Sequence, residues 1–311
     1  MSLQMMIAIR AHDYGGPEQL VLEPIPRPEP KAGEVLVRIL AAGVNPLDWK
    51  MRAGLTKAWQ PLTFPWTPGL DGAGIIAGVG SGTMMFQPGQ AVFGFVPGAY
   101  AEYGVTSADN LAPKPQSLTF EQAASLPVGA LTAWGAVMDA AEVQSGQRVL
   151  VQGAAGGVGV MAVQLARWKG AHVLGTSSAS NLDFLRFLGV EQAIDYQATP
   201  FEQVVHDVDA VIDTVGGEVI DRSLKVLRPD GVLVSIAGQV RPDKAKALGL
   251  RVVTGGRASP EHLHQITELI ESKQIRAVVG PVFPLAQAGR AQAQSETRHG
   301  RGRIVLHIAE E

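Results

Sequence analysis

A chain of 311 residues, 46% apolar and carrying 36 glycines, is long enough for two globular domains with many tight turns. Its formal charge of −3, with no long basic run, argues against a nucleic-acid or anionic-membrane partner. The absence of cysteine removes disulfides, thiol nucleophiles, iron–sulfur clusters and thiolate zinc ligands at once.

Met1-Ser2-Leu3-Gln4-Met5-Met6 lacks the layout of a signal peptide, and Met1-Ser2-Leu3 reads either as native or as an addition ahead of Met5 or Met6. No apolar stretch reaches the roughly 18 residues of a spanning helix, so a soluble cytoplasmic protein is expected. The Pro-rich stretch 23–30 reads as an extended surface crossing. Strand patterns at 34–40, 72–79 and 90–95, punctuated by turn residues, predict a compact β domain over the first 125 residues.

The pattern turns helical from Phe120 and then alternates. Strands are predicted at 148–151, 172–176, 193–196, 210–214 and 232–236, with helices at 158–169, 182–188 and 219–227. Such alternation means a parallel sheet wrapped by helices, an α/β fold. A further strand at 250–254 and a helix at 260–272 follow, and a last strand at 302–308 is expected to return to the first domain. The domains are therefore placed at 1–125 with 270–311, and at 126–269.

Gly153-Ala154-Ala155-Gly156-Gly157-Val158-Gly159 closes the first strand of the alternating region and opens its first helix. Strand, glycine turn and helix in this order suit a dinucleotide pyrophosphate, because amide N–H groups and the positive end of a helix converge on one anion. Ala154 stands at the first of the three motif glycines, leaving Gly156 for phosphate approach and Gly159 for helix packing. Ala155, Gly156, Gly157, Val158 and Gly159 are the candidate pyrophosphate contacts, with a plain tight turn as the alternative.

The next strand ends in Thr176-Ser177-Ser178 with no Asp or Glu to hold a ribose 2′-OH. Hydroxyls without negative charge admit a 2′-phosphate, so NADPH is favoured over NADH; Ser177, Ser178 and Ser180 read equally as helix caps. Ala237 and Gly238, after the strand at 232–236, stand at the carboxyl edge of the sheet where backbone groups can bind a carboxamide. The seven histidines are scattered without ligand spacing, and no bound metal is expected.

With these pieces placed, the chain resembles the zinc-free branch of the medium-chain dehydrogenase/reductase superfamily, the quinone oxidoreductase or zeta-crystallin-like group. Carrying the match are Gly43-Val44-Asn45-Pro46-Leu47-Asp48-Trp49, Thr67-Pro68-Gly69-Leu70-Asp71-Gly72-Ala73-Gly74, Ala99-Tyr100-Ala101-Glu102-Tyr103, Leu131-Thr132-Ala133-Trp134, the glycine turn, and Arg301-Gly302-Arg303-Ile304-Val305-Leu306. The resemblance implies a GroES-like β domain, an inserted Rossmann domain, a homodimer, and NADPH-dependent reduction of quinones or α,β-unsaturated carbonyls.

Zinc enzymes of the superfamily carry Cys where this chain has Asn45, and His-Glu where it has Leu70-Asp71. A site without a Lewis acid suits a conjugated acceptor better than a simple alcohol. Asn45 is a candidate for bonding substrate oxygen or the nicotinamide ribose, and reads equally as the N-cap of a helix opened by Pro46. Asp48 is a candidate general acid or a complement to the helix dipole.

Thr132 falls where relatives place a threonine beside the nicotinamide; its alternative is a helical hydroxyl bonded to the preceding turn. The resemblance also points to Tyr196 at the adenosine phosphate end and to Arg298 at the 2′-phosphate, against an ordinary strand-end aromatic and a surface arginine. Trp49, Phe64 and Trp66 read as an apolar substrate wall or as core. An enoyl-thioester reductase and a non-catalytic NADPH-binding sensor are the rival readings.

Overall fold

The computed structural model describes residues 4–239, 241–256 and 259–311, so Met1-Ser2-Leu3, Val240, Arg257 and Ala258 lie outside the described residues. In chain order the first elements are β1 (Met5–Arg10), β2 (Val21–Pro26), β3 (Glu34–Val44), α1 (Pro46–Arg52), β4 (Asp71–Val79), β5 (Ala91–Phe95), β6 (Tyr103–Ser107), β7 (Leu111–Pro113), α2 (Phe120–Ala124) and α3 (Pro127–Trp134). An alternating series follows: β8 (Arg148–Gln152), α4 (Gly159–Trp168), β9 (His172–Ser177), α5 (Leu182–Phe187), β10 (Gln192–Asp195), β11 (Val208–Asp213), α6 (Glu218–Ser223), β12 (Leu227–Ser235), α7 (Pro242–Ala247) and β13 (Arg251–Thr254). The chain closes with α8 (His262–Glu271), β14 (Val279–Pro284), α9 (Ala288–Glu296) and β15 (Arg303–His307).

Two compact units result. The first comprises the chain up to Val128 with Leu263–Glu271 and Ala277–Glu311; the second is Gly129–His262 with Ser272–Arg276. In the first unit a seven-stranded sheet runs β14-β15-β3-β4-β5-β7, with β6 also paired to β3. Strand β3 is buried along almost its whole length, which its apolar run Val35-Leu36-Val37 through Ile39-Leu40 permits. Val35, Val37, Ile39, Val92, Leu111 and Leu306 form the core here.

The Pro-rich stretch corrects one expectation. Rather than a mere crossing, it contributes β2, paired antiparallel with β1 from Met5↔Pro26 to Arg10↔Val21. Pro24 and Pro26 are two residues apart, so both missing N–H groups fall on one side of a strand that pairs only with β1, where no ladder bond is lost.

The second unit is a six-stranded, wholly parallel sheet in the order β10-β9-β8-β11-β12-β13. Numbered within the unit this is 3-2-1-4-5-6, the doubly wound arrangement whose order reverses between β8 and β11. Its strands read as apolar runs because helices cover both faces, and Leu150, Leu174, Val211 and Leu233 supply one layer of core with Phe201 and Ile220. The helix predicted at 219–227 is shorter than expected, since α6 gives way to a 3-10 turn over Leu224–Val226.

Candidate active site

In the parallel unit, the loops leaving β8 and β11 are tied together at the point of order reversal. Gly153 takes φ +68°. Its N–H donates to Thr176 Oγ1 at 3.1 Å, and Thr176 Oγ1 donates to Gln152 Oε1 at 2.7 Å. The Thr214 hydroxyl donates to the Gln152 carbonyl at 2.8 Å, and Gln152 Nε2 donates to Ser223 Oγ. Thr176 therefore has its hydroxyl committed to shaping the glycine turn.

Gly159 opens α4 against this turn: a Cβ there would run into Gly153 O and lie 2.8 Å from Ala154 Cα. At Gly156 a Cβ would meet only Gly153 O, at 3.4 Å. Helix α4 has ten residues and no side chain capping its N-terminus, which leaves its positive end to a ligand anion.

Around this turn, Asp213 ends β11 fully buried and accepts from the N–H groups of Val215 and Gly216 and from Ser235 Oγ. Gly216 and Gly217 both take positive φ, and Gly216 lies beside Ala237, whose carbonyl a Cβ on Gly216 would approach to 2.6 Å. The end of β9 carries no carboxylate. Ser177 Oγ donates to the Ser178 carbonyl, and Ser178 Oγ shares a bond with Ser180 Oγ and accepts from Asn181 Nδ2. Ser178 stands at the N-cap position of the 3-10 turn at Ala179–Asn181, but no serine side chain makes a cap bond to that turn or to α5. Tyr196 follows β10 and is 44% exposed.

Thr132, on α3, is half buried, and its hydroxyl has no hydrogen-bond partner among the described residues. The back-bond to the preceding turn, the alternative reading of this residue, is not found among the described residues. Helix α3 runs on into a π-helical segment, Gly135–Ala140.

In the first unit a second constellation is assembled where three strands end together. Gly43 of β3 pairs with Asp71 of β4, and Val44 pairs with Ile304 of β15. Gly43 makes room for Asp71, since a Cβ there would sit 2.9 Å from Asp71 Cβ. Asn45 is the N-cap of α1, Pro46 its first residue, and Asp48 returns to accept the Asn45 N–H on Oδ2 at 2.8 Å. The same Oδ2 accepts the Tyr100 hydroxyl at 2.9 Å. Asn45 Nδ2 donates to Asp71 Oδ2 at 3.0 Å, while Asp71 Oδ1 accepts the Val128 N–H in the first turn of α3.

Asn45, Asp48, Asp71, Tyr100 and Arg303 are all buried. Burial pushes Asp48 up to about 7 and Asp71 up to about 6, with the Arg303 guanidinium opposing both. Burial also raises the Tyr100 hydroxyl and lowers Arg303. Asn45 Oδ1, Asp48 Oδ1, Arg303 Nε and Arg303 Nη2 are buried without partners.

Behind this cluster Arg52 clasps α1 to α9, donating to Gln292 Oε1 at 2.7 Å, pairing with Glu296 and reaching the Gly15 carbonyl. Trp49 is buried, Phe64 packs edge-on to Tyr14 at 4.8 Å, and Trp66 pairs with Ala11 by backbone bonds. Arg298 is exposed at φ 58°; partial burial of Lys50, with the Arg298 charge as the smaller cause, holds that lysine below its ordinary range.

Residues 31–116 match the alcohol dehydrogenase GroES-like domain, and residues 188–306 match a model described as zinc-binding dehydrogenase. The NADPH-dependent alkenal/one oxidoreductase of Arabidopsis thaliana is 34% identical over 95% of this chain and 78% of its own length. The quinone oxidoreductase of Mus musculus is 33% identical over 96% of both chains. The quinone oxidoreductase of Coxiella burnetii superposes with TM-score 0.91 at 35% identity, covering 98% of this chain and 100% of that one.

The chain belongs to the quinone oxidoreductase group of the medium-chain dehydrogenase/reductase superfamily. Membership makes it an oxidoreductase working with a nicotinamide cofactor.

The residues present fit that cofactor. The turn at Gly156 is open where a phosphate must approach, α4 offers an end without a side-chain cap, and no carboxylate stands at the end of β9. The donor set is different from that of a catalytic zinc. Among the described residues no group of three or more His, Cys, Asp or Glu is placed to hold a metal ion, and Asn45 Nδ2 donates to Asp71 Oδ2.

Proposed function

We propose that this oxidoreductase reduces quinones or α,β-unsaturated carbonyls with NADPH and without a metal. The observation that carries the reading is the open glycine turn at the order reversal of the sheet, beside a β9 end that bears hydroxyls and no carboxylate. It agrees with the activities named for the Arabidopsis and mouse relatives.

NADPH, when bound, supplies a hydride to the electron-poor carbon of the acceptor. The chain's task is to bind, orient and exclude water. Ala155, Gly156, Gly157, Val158 and Gly159 hold the pyrophosphate, Thr176 shapes their turn, and Ser177 and Ser178 accommodate the 2′-phosphate. Tyr196 flanks the adenosine end, and the backbone of Ala237 and Gly238 takes the carboxamide. Thr132, with its hydroxyl unspent, donates to the acceptor oxygen as charge develops there, and water supplies the proton. Asp48 acts through Asn45, whose N–H it holds.

Assembly as a homodimer and a cytoplasmic location belong to the same reading. Among the described residues no helix is long and apolar enough to cross a membrane. The test is NADPH oxidation against a panel of quinones, alkenals and enones. Turnover with any of them is the expected result, and tight NADPH binding with no turnover across the panel would replace the reading with a sensor role. An enoyl thioester turned over in preference to the panel would move the assignment to a thioester reductase.

A further inference from the structure

The side-chain amide of Asn45 has two ends, and the fold commits one of them. Nδ2 donates to Asp71 Oδ2, the backbone N–H is taken by Asp48, and Oδ1 is buried with no partner. An ionised carboxylate can only accept, so the end of the amide that faces Asp71 must be the NH2. Asp71 itself cannot turn to release it. Its other oxygen takes the Val128 N–H, its Cβ packs against the bare Cα of Gly43, and the buried Arg303 attracts its charge. A buried acceptor left unpaired is costly, so a donor for Asn45 Oδ1 is expected to arrive with a ligand.

We propose that Asp71, supported by Arg303, is a positioning residue that fixes Asn45 as a hydrogen-bond acceptor for a hydroxyl on a bound ligand. The inference rests on the reductase reading and sharpens it. An acceptor cannot stabilise the oxyanion that hydride addition creates, so that task falls to a hydrogen-bond donor. Two ligands of the proposed reaction carry a suitable hydroxyl: the nicotinamide ribose and the hydroquinone product.

The groups facing Asp71 are Asn45 and Asp48 from the start of α1, Val128 from α3, Arg303 from β15, and Tyr100. Asp71 is pushed up to about 6, so below that pH the carboxyl gains a proton, can donate, and no longer dictates which end of the amide faces it.

The experiment measures equilibrium dissociation constants for NADPH and, separately, for a hydroquinone, in wild type, Asn45→Ala and Asp71→Asn, across about pH 5 to 8. Both variants are expected to weaken one ligand roughly tenfold or more. A loss for NADPH assigns the ribose, and a loss for the hydroquinone assigns the product. Wild-type affinity for that ligand falls below about pH 6 more steeply than that of Asp71→Asn, in which the Asp71 contribution is gone and the ionisation of the NADPH 2′-phosphate near pH 6 remains. Should Asp71→Asn fail to fold, the Asn45 side-chain amide resonances of the wild type, identified by their loss in Asn45→Ala, must titrate over the same range. Unchanged affinities in both variants, a kcat loss with both affinities unchanged, or an amide signal insensitive to pH would overturn the proposal. Because these are binding measurements, an absence of turnover in the acceptor panel would sink the reductase reading without touching them.

Discussion

At the scale of the residue, Asp48 is the most consequential side chain. Its carboxyl is buried beneath Tyr100 and the Asn45 N–H, and burial raises it to about 7. An acid raised in the folded state holds a proton that the unfolded chain releases near pH 4. Native stability from this group is therefore intact below about pH 4, falls as pH rises toward 7, and is constant above. At 1.36 kcal/mol per unit the full effect is up to about 4 kcal/mol. Asp48→Asn keeps an oxygen acceptor but carries no charge, so the variant should gain melting temperature relative to wild type progressively between about pH 4 and 7. A difference between the two proteins that does not change with pH would refute the assignment. The Asn45–Asp48 pair was legible in the sequence as an N-cap and an acid in the first turn, because both partners lie within three residues. Asp71 and Tyr100 were not legible as partners of that pair, being 26 and 52 positions away from the groups they bond.

At the scale of the element, the β8–α4 turn separates two roles for glycine. Gly159→Ala forces a Cβ into backbone atoms and should lower the melting temperature and abolish NADPH binding together. Gly156→Ala meets only one atom at ordinary distance, so it should melt like wild type while weakening NADPH by about tenfold or more, roughly 1.4 kcal/mol. Calorimetry with a cofactor titration distinguishes them, and equal melting of both variants would contradict the packing role of Gly159. The clasp between α1 and α9 supplies a second case. Arg52→Ala leaves Gln292 and Glu296 without their buried donor and should cost about 3–5 kcal/mol in urea unfolding, whereas a loss below about 1 kcal/mol would mean that the ion pair is solvated. Local pattern announced the alternating strands and helices, but it did not announce β1, β6, β7, β14 or α9. In β6, β7 and β14 the apolar residues are few and interrupted by Pro or Gly, β1 is apolar without alternation, and strand partners elsewhere in the chain supply the pairing that makes these four segments strands.

At the scale of the whole molecule, two units each have their own sheet and core. A ligand that binds the native state alone stabilises it by about 2.7 kcal/mol at one hundred times its dissociation constant. NADPH should therefore raise the melting temperature by several degrees, and NADH at the same concentration by less, because nothing at the end of β9 selects the free 2′-OH. A larger shift with NADH would reverse the cofactor preference.

The sequence alone determined the α/β class, the strand–glycine turn–helix unit and the cysteine-free chemistry, because each is written in contiguous residues whose periodicity and spacing act locally. The tertiary structure decided which end of Asn45 is free, why two carboxylates share one buried place with Arg303, and that a Pro-rich stretch completes a sheet. Those outcomes depend on strand register and desolvation, which arise only when distant segments pack together and water leaves.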